Sequence, residues 1–422
     1  MGYLLLVLCL FFLFYKFDKT VCCYVAFYPL MSMIGLTNSI NLFQALSIFA
    51  FLNYITFYRH KYRDKVFVKL KFPFYLTLVF YAISFLISNI GNNPHWPTTI
   101  ALFFSEYLFL IVFWELMWDD KNRRFFFHCF SIFIFIVCVY CIFEFLMQKN
   151  PLYDWYVKSS LFIGYDANRT EDIRFGSMRC HSIMRDVGAM GTICCIAICL
   201  FFSKLMNSAK IQQKEKFKLE IMILLCSFCT FLTGTRTVIF ALALCFFIIT
   251  LSLDIKKKIK IIACLLLVII AFFDYFNQII LSFIDTHSVE GSSTYMRELQ
   301  MAIVLNVFEK SPIYGLGLEG SEIIINKYTE AYGLESIWFQ LIINYGILGV
   351  VAFIVSLVQG FYNSIKYKNV LSFTVVAIFF LVKTMSSIPG IGSGYFLYIV
   401  SFLIITKISL NYQNENRNYN HA

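Results

Sequence analysis

The chain alternates between long apolar runs and short polar links. Apolar runs lie at about 2–15, 20–36, 39–58, 73–90, 98–118, 125–147, 183–203, 219–233, 237–253, 261–275, 336–358, 370–384 and 395–407. Runs of this kind approach the roughly 20 residues that a helix needs to cross a bilayer. The pattern therefore predicts thirteen membrane helices. Twelve or fourteen are also compatible, because the first two runs and the pair around 235 are short.

Composition supports this interpretation. Of the 422 residues, 59% are hydrophobic and only 14% are charged, whereas soluble domains carry about 25% charged residues. This excludes an ordinary soluble enzyme, a disordered protein and a nucleic-acid-binding domain. We expect an all-α polytopic membrane protein, with residues 1–422 forming one integral membrane domain. The N-terminal run lacks a basic segment and a cleavage site, so it is predicted to be a span and not a signal peptide.

Lysine and arginine predict the orientation in the membrane. Alternate links carry 24 of the 35 basic residues, six of them in the loop 59–71. Basic loops mark the cytoplasmic side, so this side and the C-terminus are placed in the cytoplasm. Thirteen spans put the N-terminus outside. Two long loops, about 148–182 and 276–335, then face outward, the second of them before the last three helices.

One candidate anion site is the break between two apolar runs at Thr233, Gly234, Thr235 and Arg236. A glycine-containing break exposes backbone N–H groups, and the dipole of the next helix adds to the guanidinium charge. The alternative interpretation is a tight turn with an arginine that extends to the interface.

The end of the loop 148–182 and the start of the span after it carry four basic residues on a side of the membrane that has few of them. These are Arg174, Arg179, His181 and Arg185. They are predicted either to line a substrate entrance or to anchor the chain at the membrane interface.

The loop 276–335 contains further candidates. Arg297 precedes an apolar stretch, 299–308, which is expected to lie in the interface or against the bundle. A turn-rich segment from Ser311 to Gly317 follows. Glu335 opens the next membrane helix, where a carboxylate either complements the helix dipole or acts as a base.

Other polar or reactive residues lie within apolar runs. Glu106 and Glu115 are candidates because buried membrane carboxylates are costly, but their spacing puts them on opposite helix faces. The pairs Cys138/Cys141 and Cys226/Cys229 have CxxC spacing. They are interpreted as small packing residues, and a zinc site or a disulfide framework is not favoured.

The order of these parts resembles the bacterial O-antigen polymerase and ligase superfamily. Residues 233–236 are similar to its Ser-x-Ser-Arg break. Arg297 with Pro312, Gly315 and Gly317 is similar to its arginine and Pro-x-x-Gly-x-Gly loop. Residues 335–349 are similar to its helix with His-Asn and Gly-x-x-Gly. This chain has Glu335–Ser336 in place of His-Asn, which favours a polymerase of the Wzy type over a ligase.

The resemblance implies glycosyl transfer between undecaprenyl-diphosphate-linked oligosaccharide repeat units at the periplasmic face of the inner membrane. It implies that Arg236 and Arg297 neutralise the departing diphosphate, and that Glu335 accepts the hydroxyl proton. The remaining basic residues of the entrance would bind substrate. No metal or cofactor is expected.

Membrane lipids and a chain-length regulator protein are the other implied partners. The alternatives are an O-antigen ligase that transfers glycan to lipid A core, and a lipid-linked oligosaccharide flippase.

Overall fold

The computed structural model describes residues 2–37, 40–58, 79, 82–84, 86–87, 96–158, 173–174, 177–184, 186–207, 212–253, 255, 258–259, 270, 273, 277, 292–317, 320–328, 334, 336–385 and 404–405. Before residue 180 its elements are α1 Gly2–Tyr15, α2 Phe17–Ala26, α3 Tyr28–Met31, α4 Leu42–Asn53, α5 Trp96–Phe103, α6 Phe109–Leu116, α7 Asp120–Met147, α8 Pro151–Lys158, β1 Ile173–Arg174 and β2 Ser177–Met178. After it they are α9 Val187–Asn207, α10 Gln213–Leu232, α11 Arg236–Leu251, α12 Ser292–Lys310, α13 Gly320–Lys327, α14 Ile337–Lys366 and α15 Val370–Met385.

The predicted helical membrane architecture is confirmed in the part of the chain that the structure describes. There, α7, α9 and α14 are long and apolar enough to span a bilayer, and four shorter apolar helices begin at Gly2, Leu42, Arg236 and Val370. Two π-helical turns, Tyr54–Tyr58 and Phe104–Leu108, continue α4 and α5. The predicted spans 73–90, 261–275 and 395–407 lie wholly or mostly outside the described residues.

The run 20–36 is not one helix, and the prediction of a single span there was wrong. Helix α2 ends at Ala26, and the four-residue α3 starts afresh with Pro29 in its first turn. Proline has no N–H to continue a helix and clashes with the preceding turn. After α3 the chain turns, and Asn41 begins α4 with a reciprocal capping box to Gln44.

Most helices share one apolar core. Helix α9 packs against α10, α11 and α15, while α7 packs against α2 and α10. A second, smaller cluster joins the loop helices to the bundle, and it comprises Ile303, Val304, Val307, Ile324, Leu334 and Ile343. The apolar stretch around 303 therefore lies against α14, one of the two arrangements expected from its sequence.

Helix α14 is broken at Gly346, whose backbone has φ 61° and ψ −151°. The segment 311–317 fills the break. Leu316 N–H donates to the Ile343 carbonyl at 2.7 Å, and Gly317 N–H donates to the Asn344 carbonyl at 2.9 Å. A break at membrane depth needs such substitutes, because lipid offers no hydrogen bonds.

The segment 311–317 also accepts a hydrogen bond from the part of α14 that follows the break. Ile347 N–H donates to the Pro312 carbonyl at 2.9 Å. Gly315 has φ +69°, and a Cβ at this position would lie 2.5 Å from the Ile343 carbonyl oxygen. The glycines of the loop and of the broken helix therefore allow the two backbones to approach closely. This explains why the Pro-x-x-Gly-x-Gly segment and the Gly-x-x-Gly helix occur together.

Candidate functional site

The predicted break at residues 233–236 is present between α10 and α11. Gly234 has φ 58° and allows the chain to turn. Thr235 is extended and precedes α11, but its side chain makes no capping bond to that helix. Arg236 is therefore the first residue of α11, at a helix N-terminus where the backbone dipole is positive.

Arg179 reaches this break from the loop before α9. Its Nε donates to the Thr233 carbonyl at 3.2 Å, and its Nη2 donates to Thr235 Oγ1 at 2.9 Å. The next residue, Cys180, donates its backbone N–H to the Leu232 carbonyl at 3.0 Å. The Thr235 hydroxyl is thus engaged by a guanidinium. Two of the predicted arginines meet at one break.

Arg297 lies at the same end of the bundle as the break at residues 233–236. The end of α11 (Ile248, Leu251) lines one cavity together with the start of α15 (Val370, Phe373). These two helices, each of 16 residues, pack against each other and therefore run antiparallel. Their other ends, Arg236 and Met385, consequently lie on the opposite side of the bundle.

Arg297 binds at that side, because its Nη2 donates to the Met385 carbonyl at 3.2 Å. We call the end of the bundle that carries Arg179, Arg236 and Arg297 the arginine end. Cationic groups at the C-terminal carbonyls of a helix interact favourably with its dipole. Arg297 thus attaches α12 to the end of α15.

The start of α14 reaches the arginine end as well. Trp338 donates from Nε1 to Thr384 Oγ1 at 3.3 Å, and Ser336 accepts from Trp338 N–H as the N-cap of α14. The neighbouring Lys383 is buried, with 2% of its surface exposed. The first turn of the helix that follows Glu335 therefore lies beside the end of α15.

A buried polar network holds the loop that carries Arg179. Glu144 has no exposed surface. Its Oε2 accepts from Ser182 N–H at 2.6 Å, and its Oε1 accepts from Asn150 Nδ2 at 2.9 Å. The Ser182 hydroxyl donates to the Val137 carbonyl at 2.7 Å. These bonds fasten the loop to α7.

His181 belongs to the same network. Its Nδ1 lies 2.8 Å from the Met184 carbonyl, and its Nε2 lies 3.8 Å from Glu144 Oε1 and 3.4 Å from Asn150 Nδ2. Both ring nitrogens thus face protein groups, and the residue is only 9% exposed. Its geometry is that of a positioning residue, and the predicted contact with substrate stays a prediction.

The other predicted residues are less completely defined. Glu335 and Arg185 lie outside the described residues. Arg174 is seen as backbone only, in β1, where it pairs with Ser177 of β2. Glu115 is buried, with 4% of its surface exposed. For Glu106 the structure describes the backbone but not the side chain.

A comparison with protein-family models adds an independent finding. Residues 221–354 match the O-antigen ligase family, Wzy_C. The resemblance to the O-antigen polymerase and ligase superfamily is thereby confirmed. No curated protein matches the chain.

The Wzy_C match covers the elements that build most of the arginine end. It runs from α10 through Arg236 and Arg297 to Ile354 in α14, and it includes the interlocked loop 311–317. Arg179 approaches the break from outside the matched segment. The family indicates a membrane enzyme of the glycosyl-transfer type in broad terms.

Sequence reasoning missed two buried charged residues, Glu144 and Lys383. Both lie in apolar runs, and an ionisable group within such a run marks a functional site by default. The same rule singled out Glu106 and Glu115. Applied consistently, it would have identified both.

Proposed function

We propose that the protein is a polysaccharide polymerase that joins undecaprenyl-diphosphate-linked repeat units at the periplasmic face of the bacterial inner membrane. One observation carries the proposal: the guanidinium groups of Arg179 and Arg297 lie at the arginine end, where α11 begins within the segment that matches Wzy_C. Guanidinium forks and a helix N-terminus are both suited to phosphate oxygens.

The proposed reaction is a direct glycosyl transfer. A hydroxyl group at the non-reducing end of one lipid-linked unit attacks the anomeric carbon of another. The bond from that carbon to the diphosphate oxygen breaks, and undecaprenyl diphosphate leaves with the bonding electrons. Glu335 accepts the hydroxyl proton.

The residues have separate roles in this proposal. Arg236 and Arg297 stabilise the charge that develops on the leaving diphosphate. Arg179 orients the break, because it holds Thr233 and Thr235, and Arg174 and Arg185 contact sugar or the second diphosphate. Diphosphate is a good leaving group once neutralised, so the proposed step uses no metal ion.

Ligase activity is the second candidate, because the matched family is described as O-antigen ligase and the match fits both activities. The two activities differ only in the acceptor. Purified protein would receive a lipid-linked single repeat unit with or without lipid A core. A ladder of longer glycans on the same carrier supports the polymerase, and transfer only when lipid A core is present establishes the ligase. If the protein forms neither of these two products, the assignment changes to a flippase.

A further inference from the structure

Six buried cysteines gather just below the arginine end. They are Cys138 and Cys141 of α7, Cys194 of α9, Cys226 and Cys229 of α10, and Cys180 of the loop before α9. The sequence pattern was interpreted as two isolated CxxC pairs that pack as small apolar residues. The structure instead brings the two pairs together across the contact between α7 and α10.

Three of these sulfur atoms have the geometry of a metal site. The Sγ atoms of Cys138, Cys194 and Cys226 all lie within 4.8 Å of one another. Those of Cys138 and Cys226 are 4.0 Å apart. Tetrahedral zinc with bonds of about 2.3 Å to sulfur requires neighbouring sulfurs about 3.8 Å apart. Small side-chain rotations would therefore complete the site.

A fourth thiol is close to this group. The Cys229 thiol donates to the Cys138 carbonyl at 3.5 Å, one helical turn after Cys226. We propose that Cys138, Cys194 and Cys226 bind one thiophilic divalent metal ion of the Zn²⁺ type, and that Cys229 becomes the fourth ligand once its thiol leaves the Cys138 carbonyl. These ligands come from three helices, α7, α9 and α10. A structural metal site that joins helices has this arrangement, whereas cysteines that merely follow one another along a single helix do not.

Charge favours a divalent ion over a monovalent one. Each thiol that binds as thiolate releases one proton and adds one negative charge to the site. The same thiolates around a divalent ion leave one negative charge fewer than around a monovalent ion, and net negative charge inside an apolar core is costly. Because protons are released on binding, the affinity should rise with pH.

The position of the site gives it a structural role. Cys229 lies three residues before Leu232, whose carbonyl accepts from Cys180 N–H next to Arg179. A bound ion would tie α7, α9 and α10 together directly beneath the break that Arg179 holds. This role is independent of the proposed glycosyl transfer, in which the metal takes no part.

The chain offers a matched control. Cys199 of α9 and Cys245 of α11 are also buried, and their Sγ atoms are 3.6 Å apart. Replacing both with alanine shows the effect of removing two buried thiols from the same core. A pair supplies too few ligands for a closed structural site.

The test uses full-length protein purified in detergent without thiol reagents, and Zn²⁺ and Cd²⁺ as probes. We expect about one Zn²⁺ per chain, and ultraviolet thiolate-to-Cd²⁺ absorption after exchange. The C138A/C194A/C226A variant should lose the absorption, and C199A/C245A should keep it. The single variant C194A, chosen to preserve folding, should bind Cd²⁺ at least about tenfold more weakly, since even changes outside the ligand shell cost about 10- to 100-fold.

Three results would overturn the proposal. One is the absence of Cd²⁺–thiolate absorption in folded wild-type protein. Another is unchanged affinity in C194A together with unchanged absorption in the triple variant. The third is an equal loss of absorption in C199A/C245A and in C138A/C194A/C226A.

Discussion

Replacing Gly346 with alanine tests the interlock between the broken helix and the loop 311–317. Gly346 has φ 61° and ψ −151°, and a non-glycine residue held in such a region costs about 1–3 kcal/mol. The new Cβ would lie 2.6 Å from the Pro312 carbonyl oxygen and from the carbonyl group of Ile313. The loop would have to withdraw, which endangers the Ile347–Pro312 hydrogen bond, worth about 1 kcal/mol net. We therefore expect G346A to destabilise the protein by about 2–4 kcal/mol.

Thermal unfolding of the purified protein, followed by tryptophan fluorescence, measures this effect. The matched control is V351A, in the same helix, whose side chain is 43% exposed and whose loss should change stability by less than about 0.5 kcal/mol. G315A should resemble G346A, because its Cβ meets the Ile343 carbonyl from the other side. Equal unfolding temperatures for G346A and V351A would refute the interlock.

Three further predictions concern the arginine end and the network behind it. Arg297→Lys keeps the charge but loses the fork, so chain growth by purified protein should fall about 10- to 100-fold; an unchanged rate would remove the diphosphate role. Glu144→Gln deprives Ser182 N–H or Asn150 of an acceptor and should lower stability by about 1–3 kcal/mol, whereas the exposed Glu309→Gln should have no effect in the same denaturation assay. Glu335→Gln should slow turnover while binding of the lipid-linked donor is unchanged, and full turnover would exclude the base role.

The helices were largely predictable because their signal is local. The run 125–147 lies within α7, Asp120–Met147, and the run 370–384 differs from α15 by one residue. Each of these stretches is apolar enough to indicate a buried helix by itself. The division of α2 from α3 was missed because total hydrophobicity outweighed the proline in the run.

The candidate site was predictable only in part. Residues 233–236 were identifiable, since a glycine and an arginine interrupt two apolar runs. The bonds from Arg179 to Thr233 and Thr235 join residues more than 50 positions apart. No spacing rule relates such positions. The convergence of Cys138, Cys194 and Cys226 depends in the same way on how three helices pack.

The interlock shows what a motif alone conceals. The Pro-x-x-Gly-x-Gly segment was predicted to be a turn, and the helix from Ile337 was predicted to be a continuous span. Their glycines are complementary, because Gly315 faces the carbonyl of Ile343 and Gly346 faces those of Pro312 and Ile313. Sequence periodicity reports which residues are apolar, but it does not report where one backbone enters another.

The most direct test of the central claim is the length of glycan that purified protein builds on a lipid-linked repeat unit. Wild-type protein would be compared with the Arg236→Ala variant and with a control variant, Lys368→Ala. Lys368 lies at the opposite end of the bundle, beside the cavity between α11 and α15. We predict a ladder of lengthened products for wild type and for Lys368→Ala, and only the single repeat unit for Arg236→Ala. An equal ladder from Arg236→Ala, or no lengthening by wild-type protein on its cognate substrate, would contradict the assignment.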